Sequence, residues 1–426
     1  MRRRLDRTTA ALLRFELPAV ALATLAGMGA ASLLPGSVAV IGLMLLIRAL
    51  HSRINTGRFR ITHTPTDLPL LLLCFTLIVN LWATPEMDVT LPQVLRLLTG
   101  IGLFLALTNN KHLIARQANL VATFAVLLAV ILVLSMPFTV EWSGASKLTF
   151  IPSSLYQKFT LVVSDGVNPN VMAGAIVLLF PMAWACTITP SRSIVQKALF
   201  ALAAAIIAAG LLLAGSRSAL FAAVGSGFVL LLIQLPRRAA ALMAGAGVLV
   251  VAAIVVSGWI FELRLDTFVN GLLATNDALS GSLSRVEIWS RAVYVIQDFP
   301  LTGIGMGMFA RVTDLLYPMI FTRPGIEHAH NLALQIAVDL GLPGLVAWLA
   351  TYFVVMACLM LQIFRRSATP NALVVGLFGA QLALILGGIT DAVTWGMVRS
   401  APLVWGLWGL AIASWLSTQQ HDYRMD

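Results

Sequence analysis

The chain has 426 residues, of which 59% are hydrophobic and only 11% charged, with a mean hydropathy of +0.90. A soluble domain cannot bury that much apolar surface, whereas a bilayer absorbs about 20 apolar residues at each crossing. The net charge of +10 is scattered over short connections between apolar runs, so it is not the basic face of a nucleic-acid-binding protein.

In chain order, the apolar runs predict about twelve spans, near residues 16–35, 37–50, 67–84, 91–108, 117–136, 170–189, 198–215, 218–234, 239–260, 332–363, 371–389 and 401–418. The expected class is an all-α polytopic membrane protein. Basic residues sit mostly on every second connection: Arg2, Arg3, Arg4, Arg7 and Arg14; Arg48, Arg53, Arg58 and Arg60; Lys111 and Arg116; Arg192 and Lys197; Arg237 and Arg238; Arg365 and Arg366; Arg424. Short Lys/Arg-rich loops stay in the cytoplasm, so both termini are expected inside, and the first span is expected to remain uncleaved. Cys74, Cys186 and Cys358 fall within spans and read as small buried residues, with no disulfide framework.

The chain then divides into spans one to nine (1–260), a long outer connection (261–331), and spans ten to twelve with a cytoplasmic tail (332–426). A second outer connection, 137–169, ends in Val167-Asn168-Pro169-Asn170. In the long loop, Ser284-Arg285-Val286-Glu287 fits a capping box, followed by apolar residues at helical spacing (Val286, Trp289, Val293, Ile296) and an i,i+4 pair, Glu287 and Arg291. Pro300 ends that helix. A glycine-rich turn, Gly303-Ile304-Gly305-Met306-Gly307, and a second short helix near 308–316 follow. The glycines lack the flanking strand and helix of a nucleotide-binding fingerprint, and a tight turn is the better reading. The two amphipathic helices suit a lid on the membrane surface or over a cavity.

The outer side holds two histidines, in Glu327-His328-Ala329-His330-Asn331. Asn331 can cap a helix starting at Leu332, which Gly341-Leu342-Pro343-Gly344 interrupts. His330 would stand at that helix's positive end, which disfavours an imidazolium and keeps the ring fit to act as a general base. Two positions apart, the histidines are expected to point in different directions in regular structure. Capping tilts the choice of base toward His330 without deciding it. H-x-H also suits a metal, but no third His or Cys is available on that side; carboxylates could complete the set, and no metal is assigned.

Arg217, in Gly215-Ser216-Arg217-Ser218, lies between two apolar runs with almost no loop. An arginine in lipid costs roughly 2.5–3.5 kcal/mol, so it should face the interior or a wet cavity. Arg285 is the second candidate; Arg96, Arg264, Arg291, Arg311, Arg323 and Arg399 are also on that side. Converging guanidinium forks would suit a phosphate or pyrophosphate. Asp391, at the end of the run Leu382–Ile389, could orient a histidine or a sugar hydroxyl. Glu86-Met87-Asp88 is a weaker pattern, a carboxylate pair of the kind that meets divalent ions by chance.

Several patches together resemble the O-antigen ligase and polymerase superfamily of bacterial envelope proteins: Ser216-Arg217-Ser218-Ala219-Leu220; Ser284-Arg285 with Trp289; Pro300-Leu301-Thr302-Gly303-Ile304-Gly305; and His330-Asn331 with Leu334-Gln335 and Asp339-Leu340-Gly341. The resemblance covers roughly 170–395 and implies a glycosyltransferase in the bacterial cytoplasmic (inner) membrane with its active site facing the periplasm. A GT-C-like architecture is compatible with it. The implied donor is a polysaccharide on undecaprenyl pyrophosphate and the implied ligase acceptor is lipid A–core, with no cofactor, nucleotide or metal. Carried over, Arg217 and Arg285 would hold the pyrophosphate, His330 would act as base and Asp391 would assist. His328, Arg291 and Asn170 are further substrate-binding candidates. One dominant loop favours a ligase over the alternatives of the same superfamily, a polymerase or a protein O-oligosaccharyltransferase. A lipid-linked glycan flippase is the alternative of another class. It would be expected to show internal repeats and charges inside spans, whereas the sequence shows no repeat and few charges there.

Overall fold

The computed structural model describes residues 2–59, 62–142, 151–163, 166–190, 192–260, 278–320, 325–364 and 371–422. Arg60, Arg264, Arg323, Arg365, Arg366 and Arg424 lie outside them. The described residues form helices α1 (Arg2–Leu13), α2 (Glu16–Gly29), α3 (Leu34–Thr56), α4 (Asp67–Ala83), α5 (Met87–Asn109), α6 (Lys111–Arg116), α7 (Ala118–Thr139), α8 (Ser153–Tyr156), α9 (Pro169–Ile188), α10 (Ile194–Ala214), α11 (Arg217–Gln234), α12 (Arg237–Ile260), α13 (Ala278–Asp298), α14 (Phe309–Leu316), α15 (Leu332–Phe364), α16 (Ala372–Gly388) and α17 (Pro402–Asp422). Only backbone-closed helices satisfy their own hydrogen bonds in hydrocarbon, which is why so apolar a chain takes this form.

Among the described residues, seven helices are long and apolar enough to cross a membrane: Ala31–Thr56, Met87–Asn109, Ala118–Thr139, Pro169–Ile188, Ile194–Ala214, Arg217–Gln234 and Leu332–Phe364. An eighth arises if α1 and α2, bent by 50° at their junction, form one broken span. Asp67–Ala83, Arg238–Leu249 and Ala372–Gly388 are apolar but shorter.

Helix α9, apolar on every face, is the centre of the bundle and packs against α7, α10, α11 and α16. A second layer pairs α17 with α5 and α15 with α4. Exposed apolar residues run along single stripes, such as Leu68, Leu71, Phe75, Ile78 and Trp82 of α4, as lipid-facing positions must. The buried carboxylate of Glu16 pairs with Arg48 and accepts from Asn109 and Asn110 side chains, fastening α2 to α3 and α5.

A smaller apolar cluster, with Ile288, Ala292, Val295, Ile304, Met308, Phe309, Ala329 and Val338 at its centre, joins α13 and α14 to the start of α15. The capping-box reading of Ser284–Glu287 fails, because α13 already runs from Ala278 and Ser284 lies inside it. Glu287 instead accepts from the Ile320 N–H and lies 3.7 Å from Arg291. Gly341 does interrupt α15, with φ 71° and ψ 179°. The reason is close backbone contact. A Cβ on Gly341 would stand 2.7 Å from the Leu301 carbonyl carbon, and one on Gly303 would stand 2.3 Å from the Asp339 carbonyl oxygen. The glycine turn is thus pressed backbone to backbone into the kink, sealed by Leu342 N–H to Pro300 O at 2.7 Å and Ile304 N–H to Val338 O at 3.0 Å.

Candidate active site

The first turns of α9, α11 and α15 and the last turn of α16 meet at one end of the bundle, where chain reversals place Arg217, the histidines and Asp391. Helix α10 ends on Gly215 in the left-handed conformation and α11 begins two residues later at Arg217, so the guanidinium extends from an exposed helix start. A cation at the positive end of a helix dipole is unfavourable without an anion nearby. Helix α16 ends at Gly388, and Asp391 N–H bonds back to Gly387 O at 3.1 Å.

The histidines enter through a non-helical segment, bent at His328 and His330, whose fully buried Ala329 packs into the apolar cluster of α13 and α14. The rings of His328 and His330 stand 4.1 Å apart between centroids. This corrects the expectation that they diverge, which presumed regular structure; the backbone bends here, with His330 left-handed. His330 has φ 47°, the one positive value at a non-glycine position among the described residues; such strain is held only where surrounding contacts over-determine it. Asn331 then caps α15, accepting from Leu334 N–H at 3.0 Å, while its amide donates to Ile389 O at 2.9 Å.

Asp391 receives both rings. Its Oδ1 lies 3.5 Å from His330 Nδ1 and 3.9 Å from His328 Nδ1. Burial pushes this carboxyl up, but the His330 hydrogen bond, the charges of both histidines and the Ala392 N–H together outweigh burial and hold it below its ordinary range. His328 is brought down to about 4, by burial first and by His330 second, with Asp391 opposing. Its Nδ1 accepts the His330 backbone N–H at 3.2 Å, which leaves its proton on Nε2.

Arg285 lies within electrostatic reach of both Asp391 and Arg217. Burial lowers the Arg285 guanidinium; the Asp391 charge raises it and the Arg217 charge lowers it further. Among the described residues, no carboxylate lies within 4.0 Å of either guanidinium. A small cavity lined by Gly174, Ser218, Ala219, Gly388, Asp391 and Val393 connects the start of α11 to Asp391. Asn170 stands one turn before Gly174 on the same face of α9.

Other candidates fall elsewhere. Arg291 is turned into the lid, where it donates to Pro318 O at 3.1 Å and packs over Tyr294, so it is a fastening of α13 rather than part of the cluster. Arg96 donates to the carbonyls of Gly396 and Met397. Glu86 pairs with Arg311, which uses the carboxylate suggested for a divalent ion. That pair borders an apolar groove of about 940 Å³ between Trp82 and α14 that contains none of the clustered residues. His328, His330 and Asp391 present ligand atoms within 4.8 Å of one another, an arrangement with the donors to hold a metal ion. Sequence reasoning missed Tyr156, whose hydroxyl donates to Leu213 O at 2.9 Å just before Gly215; a lone tyrosine in a polar loop carries no spacing signal.

Residues 202–349, which include Arg217, Arg285 and both histidines, match the family model described as O-antigen ligase. No curated protein matches the chain. The matched segment contains Arg217, Arg285, His328 and His330, whereas Asp391, just after α16, and Asn170, in α9, lie outside it.

Proposed function

We propose that the protein is a glycosyltransferase of the bacterial cytoplasmic membrane, an O-antigen ligase that passes a polysaccharide from undecaprenyl pyrophosphate to a sugar hydroxyl of lipid A–core on the periplasmic side. In this reading the chain makes twelve crossings in a GT-C-like arrangement, keeps both termini in the cytoplasm, and uses 261–331 as a lid.

One observation carries the proposal. Two arginines without a carboxylate partner among the described residues stand beside a histidine–aspartate pair. Arg217 and Arg285 bind the pyrophosphate oxygens and hold the charge of the leaving group. Asp391 accepts the His330 Nδ1–H, fixing the tautomer with a basic Nε2. The acceptor oxygen attacks the anomeric carbon as its proton passes to His330 Nε2. The bond from that carbon to the pyrophosphate oxygen breaks, and undecaprenyl pyrophosphate departs. A single displacement inverts the centre and needs no second carboxylate. The His328 Nε2–H remains as a donor to sugar or phosphate oxygens, with Asn170 beside the cavity as a further substrate contact.

The test is transfer by purified protein in detergent, supplied with undecaprenyl-pyrophosphate-linked glycan and lipid A–core and no nucleotide. Glycan on lipid A–core establishes the ligase. Lengthening of the donor without use of that acceptor means a polymerase.

A further inference from the structure

Helix α15 carries two polar side chains at positions where an apolar bundle has no use for them. Gln335 and Asp339 are both fully buried, and an unsatisfied polar group there costs several kcal/mol. Their bonds form one continuous chain. The Ala329 N–H, between the two histidines, donates to Gln335 Oε1 at 2.7 Å. Gln335 Nε2 donates to Asp339 Oδ1 at 2.9 Å. The same Oδ1 accepts from Gly307 N–H at 3.3 Å, and Oδ2 accepts from Trp395 Nε1 at 2.8 Å. Every partner of Asp339 is a donor, and the Gln335 amide has only one orientation that satisfies both neighbours.

The far end of this chain matters. Trp395 lies in the turn that follows Asp391, so Asp339 grips the histidine segment through Gln335 and the aspartate segment through Trp395. Nearer the surface, Asn331 to Ile389 O joins the same two segments. The His330–Asp391 separation is therefore held by two ties, and only the buried one reaches the turn where His330 adopts its left-handed backbone.

We propose that Gln335, backed by Asp339, is a positioning residue that sets the His328–His330 turn against Asp391. The inference rests on the histidines acting as described above. Gln335 touches no substrate; it acts by holding the Ala329 amide.

The test compares full-length wild type, Gln335→Leu and Gln335→Glu in detergent. Gln381→Leu serves as a control, since Gln381 is a buried glutamine bonded to Trp408 rather than to the turn. The first readout needs no substrate: the rate at which diethyl pyrocarbonate modifies His328 and His330, followed by peptide mass spectrometry. Gln335→Leu is expected to change those rates several-fold and to lower transfer about 100-fold, in kcat rather than in donor KM, as for a misplacement near 1 Å. Gln381→Leu leaves both unchanged. Gln335→Glu still accepts from Ala329 but has no proton for Asp339 until it is protonated, so its transfer relative to wild type should rise as pH falls. If Gln335→Leu does not insert, this profile decides. Wild-type modification rates in both Gln335 variants, or an equal change in Gln381→Leu, overturn the proposal. A wild type that transfers no glycan refutes the glycosyltransferase reading, while the modification rates still judge the tie.

Discussion

His330 Nδ1 sits 3.5 Å from Asp391 Oδ1, a pairing of the segment before α15 with the turn after α16. Neither residue's own helix sets this distance. It follows from Asn331 holding Ile389 O and from Asp339 holding Trp395.

If His330 is the base, His330→Ala should lower kcat by roughly 100- to 10,000-fold with the donor still bound. Asp391→Asn should give a smaller loss, since it removes orientation but leaves the imidazole. Single-turnover transfer with radiolabelled donor measures both. Equal activity in His330→Ala and wild type would remove it from the chemistry.

Arg217→Ala and Arg285→Ala should each cost about 100- to 1,000-fold in transfer, the range for removing one donor to a developing anion. Lysine replacements should recover only part, because an ammonium cannot bind two oxygens in a fork. The double alanine variant should lose less than the product of the singles if both hold one pyrophosphate. Strict additivity would place them at separate sites.

Acid should weaken the fold at this site. His328 titrates near 4 in the fold against 6.5 as the reference value. Above about pH 6.5 the ring is neutral in both states and contributes nothing; below that, the unfolded chain takes up a proton the fold refuses, and stability falls until about pH 4. Asp391, held below its ordinary range, adds stability that is likewise lost only on acidification. Thermal unfolding in detergent should therefore drop between pH 7 and 5, and His328→Asn should flatten the profile. An unchanged slope in that variant would contradict the assignment.

Chelation separates two readings of one cluster. His328, His330 and Asp391 have the donors for a metal, yet the proposed displacement needs none. Transfer should survive EDTA. Inhibition reversed by one divalent ion would make the triad a metal site.

Gly303→Ala tests the glycine turn. A left-handed backbone at φ 64° costs a side chain about 1–3 kcal/mol, and the added Cβ meets the Asp339 carbonyl. Loss of thermal stability is expected, whereas Gly57→Ala, left-handed but facing open space, should cost less.

Much of this was readable in order along the chain. Apolar length alone determined that the protein is a bundle of membrane helices, because hydrocarbon admits no other open backbone. Asn331 announced its cap and Gly341 its break, since each depends on neighbours a few residues away. Tertiary structure decided the rest. The turn of both histidines to one side came from Ala329 being drawn into the lid core. The separation of Arg285 from Arg291, equally plausible as arginines, came from Pro318 and Glu287 claiming the latter. Asp391 met His330, and Asp339 met Trp395, only because α15 and α16 pack with their ends in register. Sequence records which side chains are available and what local backbone they allow; which of them share a charge or a proton depends on distances that only packing across the bundle creates.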